Sequence, residues 1–256
     1  MTPERDLTNL EGKVITITGG SRGLGKEMAL AFARCGATIV IASRKKENCE
    51  SLAAFLTESI GVQARGVECH VGNWEQCDAL FKTVYDTYGK CDVLVNNAGM
   101  SPLYESLTSV SEELFDKVLN VNLRGPFRLS STFGEQMVKD GGGSIINISS
   151  VAAAQPSPHE APYGAAKAGL HSLTKSFSRA YAPKVRVNCI MPGPFLTDIS
   201  NAWSEATHDS LKALPLKRGG QPSEIVGAAL YFASEASSFT TGSVLKIDGG
   251  LIAAPG

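Results

Sequence analysis

Residues 14–25 run VITITGGSRGLG, a β-branched pentamer passing without a spacer into a turn that holds four glycines. Alternate burial is not written into Val14 to Thr18; the run is continuously strand-forming, as two-sided burial in a parallel sheet requires. Beyond the turn, Leu24, Met28, Ala31 and Phe32 fall on one helical face. The stretch therefore reads as strand, phosphate-sized turn, helix.

The same alternation continues along the chain. Strand-like runs are predicted at 14–18, 38–42, 64–69, 93–96, 145–149, 185–190 and 244–247. Helical spacing lies between them, at 24–34, 46–59, 74–88, 112–138, 163–182 and 223–233. This rhythm predicts βαβ units and an α/β fold: a single-domain, Rossmann-type doubly wound sheet of about seven parallel strands with helices on both faces. No linker or repeat divides residues 1–256. One irregular region, with prolines and polar residues around a short helix, is expected to form a substrate lid around residues 194–215.

Composition narrows the class. The 256 residues are 43% apolar and 19% charged with a net charge of −1, so a large core can form. Neither sign is concentrated enough to suggest nucleic acid binding. The first ten residues do not read as a signal peptide, and no apolar run is long enough for a membrane span. The six cysteines are scattered without a Cys-x-x-Cys, and the four histidines show no ligand spacing. Reduced thiols, no metal and a cytoplasmic setting are the expectation.

The turn Thr18-Gly19-Gly20-Ser21-Arg22-Gly23-Leu24-Gly25 suits a pyrophosphate. Glycine permits close backbone approach, and the following helix N-terminus offers free N–H groups and partial positive charge. Such a turn alone also serves as a tight strand–helix connection; its place after the first strand gives it weight. The second strand ends Ser43-Arg44-Lys45-Lys46, where an NAD site usually carries an acid. Arg44 and Arg22 can pair with a 2′-phosphate, so the predicted cofactor is NADP. A solvated basic helix start would leave the same residues, although cations at a helix N-terminus are electrostatically disfavoured.

Tyr163-Gly164-Ala165-Ala166-Lys167 follows Pro162 on a predicted helix, placing phenol and ammonium on one face. A free tyrosine titrates near pH 10, and bringing it to about 7 needs roughly 4 kcal/mol of anion stabilisation. A close lysine and an oxidised nicotinamide ring could supply that. A lone Tyr-x-x-x-Lys pair is commonplace; its company makes it informative. Ser149-Ser150 ends the fifth strand at the sheet's carboxyl edge, where a hydroxyl can donate to a substrate oxygen. Asn96-Asn97-Ala98-Gly99 ends the fourth strand at the same edge, offering backbone and amide groups to a cofactor.

In this order the motifs resemble the classical short-chain dehydrogenase/reductase family along nearly the whole chain. The likeness includes Asn122 in Asn120-Val121-Asn122-Leu123, Ser150 thirteen residues before Tyr163, Pro192-Gly193 after the sixth strand, and Asp248-Gly249-Gly250. It is similar in particular to 3-oxoacyl-acyl-carrier-protein reductases. The resemblance implies catalysis by Asn122, Ser150, Tyr163 and Lys167. Tyr163 would be acid in reduction and base in oxidation, and Ser150 would orient the substrate oxygen. Lys167 would bind the nicotinamide ribose, and Asn122 would hold a water of a proton relay.

The implied cofactor contacts are Gly19, Ser21, Arg22, Gly23, Leu24, Gly25, Ser43, Arg44, His70, Val71, Asn97, Ala98 and Gly99. Tyr163, Lys167, Pro192, Gly193, Phe195 and Thr197 complete the set. A homotetramer is implied too, with the helices holding Asn122 and Tyr163 packed between subunits. One departure is His70-Val71, where the family commonly has Asp-Val beside the adenine. Histidine there would stack or donate instead.

The predicted activity is reduction of a carbonyl or oxidation of a secondary alcohol. A sugar, polyol or steroid dehydrogenase is a second reading, and a non-catalytic NADP-binding scaffold a third. Residues 153–162, with Gln155, His159 and Glu160, should wall the substrate pocket opposite the lid, to which Trp203 and Leu211 could contribute. An acyl carrier protein would need a basic patch, for which Lys212, Lys217 and Arg218 are candidates.

Overall fold

A computed structural model of the chain describes residues 6–198, 200 and 205–252. Seven strands form a single parallel sheet in the order β3-β2-β1-β4-β5-β6-β7. They are β1 Val14–Thr18, β2 Thr38–Ser43, β3 Ala64–Glu68, β4 Val93–Asn96, β5 Gly143–Ile148, β6 Val185–Pro192 and β7 Val244–Ile247. The expected doubly wound α/β architecture is what the chain adopts.

Each strand sends alternate side chains to opposite faces, and the two faces carry separate cores. Ile15, Ile17, Ile39, Ile41, Val93, Val95, Ile146 and Ile148 pack on one side with Met28 and Phe32 of α1 (Gly23–Arg34) and Phe232 of α8 (Val226–Ala233). Val40, Leu94, Ile145 and Val187 pack on the other against Leu80, Phe133 and Phe177. These last three come from α3 (Trp74–Tyr88), α5 (Gly125–Asp140) and α6 (Ala161–Tyr181). Burying one such aliphatic or aromatic side chain contributes about 1.5–3 kcal/mol. A strand apolar on both faces has no stable place except between two helical layers.

Sequence order reverses between β1 and β4, which are hydrogen-bonded neighbours. Their carboxyl ends diverge into the glycine turn and the Asn97–Gly99 segment, opening the crevice in which doubly wound folds bind ligands.

Three helices differ from the periodicity, the predicted 223–233 helix opening as a 3-10 turn, Pro222–Ile225, before α8. The predicted 46–59 helix is α2 (Lys46–Phe55) followed by a π-turn, Leu56–Ile60, that stops at Gly61 with φ 86°. The predicted 112–138 helix is α4 (Glu112–Leu119), a π-turn at Asn120–Arg124, and α5. Pro126 has no N–H to return to the Asn122 carbonyl, and the Asn122 amide donates to the Val118 carbonyl at 2.9 Å. A missing donor and an inserted side chain together widen the turn. The helix carrying Tyr163 begins two residues earlier than predicted, with Pro162 in its first turn. In residues 194–215, a short helix α7 (Glu205–Ser210) precedes a 3-10 turn at Leu211–Ala213; Leu211 is buried, and Trp203 lies outside the described residues.

Candidate active site

The glycine turn is held by β4. The Asn97 amide donates to the carbonyls of Thr18 and Gly19 at 2.9 and 3.0 Å, and the Asn97 and Ala98 N–H groups donate to the Thr18 hydroxyl. The Asn97 side chain expected to reach a cofactor is thus spent on shaping the turn. A Cβ on Gly25 would lie 2.4 Å from the Gly19 carbonyl oxygen and 2.5 Å from the Asn97 amide nitrogen. Gly19 takes φ +63° where a Cβ would sit 2.9 Å from Ala98 Cα. Only glycine closes this turn.

Among the described residues the space above the turn is open: a Cβ on Gly23 would meet only Thr197, at 3.7 Å. Helix α1 has no side-chain cap and no acid in its first turn. Its leading N–H groups are therefore free for phosphate oxygens. At the end of β2, the Ser21 hydroxyl donates to Ser43 at 3.1 Å, joining the turn to the strand that carries Arg44. Arg22 and Arg44 are exposed and make no ion pair among the described residues, whereas Lys46 pairs with Glu50 at 3.4 Å. These groups fit a dinucleotide, and the unpaired guanidinium groups fit a 2′-phosphate.

His70 is partly buried after β3, and its Nδ1 accepts the Gly72 N–H at 3.1 Å. In the neutral ring that leaves the proton on Nε2, a donor where the usual aspartate would be an acceptor. Val71 is buried in the core beside it. On the far side, Gly193 packs on Asp248, with 2.7 Å from a hypothetical Cβ to Asp248 Cα. Asp248 in turn accepts the N–H groups of Gly250 and Ile252. The Phe195 ring is buried against Gly220, so only its backbone remains for a ligand. Pro192 ends β6, and Leu24 packs on the core below the turn.

The four predicted catalytic residues come together from three elements. Ser150 follows β5 and caps a short 3-10 turn, its Oγ accepting the Ala152 N–H at 3.2 Å while also bonded to the Tyr163 hydroxyl. One helical turn on, Lys167 Nζ stands 5.6 Å from the Tyr163 ring centre and donates to the Ile148 carbonyl at 2.8 Å. Ser149 sits behind them, its hydroxyl donating to the Lys167 carbonyl at 3.3 Å. Asn122 enters from the π-turn. Its amide donates to Met100 and Val118 carbonyls, and its oxygen accepts the Met100 N–H. A Cβ on Gly99 would lie 3.0 Å from that oxygen and 3.5 Å from Lys167 Nζ, so glycine lets the two approach. Both amide hydrogens of Asn122 are used; what it has left for a relay water is acceptor capacity.

Electrostatics departs from the expected lowering of the phenol. Burial pushes Tyr163 up to about 12, the Ser150 hydrogen bond offsets part of this, and Glu160 adds to it. Lys167 is only 3% exposed, and burial pulls its ammonium down to about 8. The protein alone thus keeps the phenol protonated, and its ionisation requires positive charge from a bound partner.

Asn96, expected to offer its amide to a cofactor, is instead buried, its amide donating to Ser130 and to Asn147, whose own amide reaches Thr174. This polar rod ties β4 and β5 to α5 and α6; an asparagine inside the apolar Gly143–Ile148 run was its visible signal. Tyr104 was not anticipated: its hydroxyl accepts the Ala161 N–H and donates to the Pro158 carbonyl, both at 2.7 Å. The candidate basic patch is largely neutralised, because Arg218 holds Glu224 through two bonds at 2.6 and 2.7 Å and Lys212 holds Asp209 at 2.6 Å.

Comparison with known proteins agrees with this geometry. Residues 19–252 match the family model described as enoyl-(acyl carrier protein) reductase. The chain is 38% identical to a 3-oxoacyl-acyl-carrier-protein reductase of Thermotoga maritima over 95% of its own length and 99% of that protein. It is 36% identical to human dehydrogenase/reductase SDR family member 4, covering 94% of this chain and 88% of the relative. The solved gluconate 5-dehydrogenase of Burkholderia cenocepacia, in complex with NADP and tartrate, superposes with a TM-score of 0.92 at 35% identity, over 98% and 99% of the two chains. The chain belongs to the classical short-chain dehydrogenase/reductase family, oxidoreductases of carbonyl and CH–OH groups.

Proposed function

We propose that the protein is an NADP-dependent carbonyl reductase and secondary-alcohol dehydrogenase in which Tyr163 is the acid/base. The observation that carries this reading is the Ser150–Tyr163–Lys167 arrangement at the carboxyl edge, beside the Asn122 oxygen and the glycine turn. Gly19, Ser21, Gly23 and Gly25 would hold the pyrophosphate, Arg22 and Arg44 the 2′-phosphate, and Val71 with His70 the adenine. Gly99, Lys167, Pro192, Gly193, Thr197 and the Phe195 backbone would hold the nicotinamide half. A bound nicotinamide would supply the hydride chemistry and, in its oxidised form, positive charge in addition to the Lys167 ammonium.

In reduction, the hydroxyls of Ser150 and Tyr163 both donate to the substrate oxygen, and the Tyr163 proton passes to it as negative charge develops. A phenol held at about 12 is fully protonated at neutral pH, which suits this direction. The resulting phenolate is stabilised by Ser150 and by the Lys167 ammonium on the same helix face. In oxidation the same groups run in reverse, which would serve a sugar or polyol; the likeness to the gluconate dehydrogenase supports keeping that reading. Residues 194–215 would close over the substrate. A cytoplasmic setting agrees with six free thiols. A homotetramer agrees with half-exposed Phe115 and Phe127 on the helix pair α4 and α5.

Purified protein should oxidise NADPH in a ketone-dependent manner. Tyr163→Phe is expected to lose roughly 10²–10⁴-fold in kcat while still binding NADP. Undiminished turnover by that variant would overturn the assignment.

A further inference from the structure

The segment that leaves β4 is tied down at two points. At its start, Met100 gives its N–H and its carbonyl to the Asn122 side chain, at 3.2 and 2.8 Å. Farther on, the Tyr104 hydroxyl accepts the Ala161 N–H and donates to the Pro158 carbonyl, both at 2.7 Å. Residues 100–104 therefore form a strap from the π-turn of Asn122 to the first residue of α6. One oxygen holds both the 3-10 turn Pro158–Glu160 and the helix that this turn feeds.

Helix α6 has little else to fix its beginning. Glu160 stands at the N-cap position and makes no side-chain capping bond, and Pro162 has no N–H to offer. The nearby Ser157 hydroxyl is spent on the His159 N–H at 3.2 Å. An uncapped first turn frays, and here that turn carries Tyr163. It also lies directly on the Ser150 turn: a Cβ on Gly164 would come within 2.9 Å of the Ala152 carbonyl oxygen. A shift of the first turn is thus a shift of the phenol against Ser150. The strap also closes one side of the site. Between Pro102, Tyr104, Leu114, Val118 and the Tyr163 ring there is room for about one water.

We propose that Tyr104 is a positioning residue: its hydroxyl fixes the first turn of α6, and with it the Tyr163 phenol against Ser150, while the strap it pins keeps substrate bulk off this side of the carbonyl. The inference deepens the reading of Tyr163 as the acid/base and rests on it.

The first test needs no variant. An amide at the first position of a helix has no partner within the helix and ordinarily exchanges freely. In the unaltered protein the Ala161 amide should instead be protected from hydrogen exchange, as read by NMR, and Tyr104→Phe should abolish that protection. The second test is kinetic, with cyclohexanone and the bulkier 1-decalone as ketones and rates expressed per NADP-binding site. Tyr104→Phe keeps the ring and removes one oxygen. It should lower kcat for cyclohexanone roughly tenfold, because small misplacements of a reacting group are costly. The dissociation constant for NADP should stay the same, and the kcat/KM ratio of 1-decalone to cyclohexanone should rise severalfold. A merely structural role would lower both ketones alike and leave the ratio where it was. A freely exchanging Ala161 amide in the unaltered protein, or kcat and ketone ratio unchanged in Tyr104→Phe, overturns the proposal. Tyr163→Phe run in parallel separates the two readings. If it abolishes turnover while Tyr104→Phe matches the unaltered protein, the positioning claim alone has failed. If Tyr163→Phe stays active, the catalytic reading has failed and takes the positioning claim with it.

Discussion

Lys167 carries its amine into the core of the site, and the consequence is visible as pH dependence. Burial lowers its folded value to about 8 from an ordinary 10.5. Between these values the unfolded chain holds a proton that the folded chain does not, so stability rises with pH across this window. Below pH 8 both states are protonated and the cost of burying the charge is present in full. The rise amounts to about 3 kcal/mol. Tyr163 acts in the opposite sense at higher pH. Its folded value is raised, so its contribution is present below pH 10 and lost as pH climbs toward 12. Urea unfolding of the cofactor-free protein at pH 8, 9 and 10 isolates the lysine by comparison: the unaltered protein should gain stability relative to Lys167→Met as pH rises, a difference that cancels the opposite contribution of the buried thiols, whose values are raised. The lysine was legible from its spacing to Tyr163; its burial was not, because spacing says which face a side chain shares and nothing about what covers that face.

Helices α5 and α6 show how an element can be set by a residue with no chemistry of its own. Gly134 lies where the two helices meet, and a Cβ there would come within 2.3 Å of the Tyr181 ring. Gly134→Ala must push α6 away or rotate Tyr181, whose ring also stacks on Phe177 at 5.5 Å. We expect a loss of about 1–3 kcal/mol by denaturant unfolding. Because α6 carries Tyr163 and Lys167, kcat should fall as well. The π-turn before α5 teaches a related lesson. Periodicity runs smoothly through residues 112–138, and only Pro126 marked the interruption that brings Asn122 to Met100. Hydrophobic spacing reports which faces are buried; it is nearly blind to one extra residue in a turn.

For the whole molecule, the sheet order places the glycine turn and the β4 end side by side, so cofactor binding should stiffen both halves together. A ligand at a hundred times its dissociation constant stabilises the folded state by about 2.7 kcal/mol. For a domain of this size that is roughly 5–10 °C in Tm. Equal concentrations of NADP and NAD should therefore give different thermal shifts, the larger with NADP. Arg44→Ala should remove most of the difference and leave the NAD shift unchanged, because the guanidinium has only the 2′-phosphate to hold. Equal shifts in the unaltered protein would argue against the NADP assignment.

The strand–helix alternation, the glycine turn, the Tyr–Lys spacing and the basic end of the second strand are local patterns. They could be read directly because burial on both faces, positive φ and helical spacing each leave a mark within a few residues. What required the folded chain were relations between residues far apart in sequence. The Asn97 amide is spent on Thr18 and Gly19, Arg218 is matched by Glu224, and Tyr104 takes the cap that would otherwise occupy Glu160. A polar group's role depends on which partner reaches it first, and how far its proton affinity moves depends on how much water is left around it. Both are set by tertiary packing.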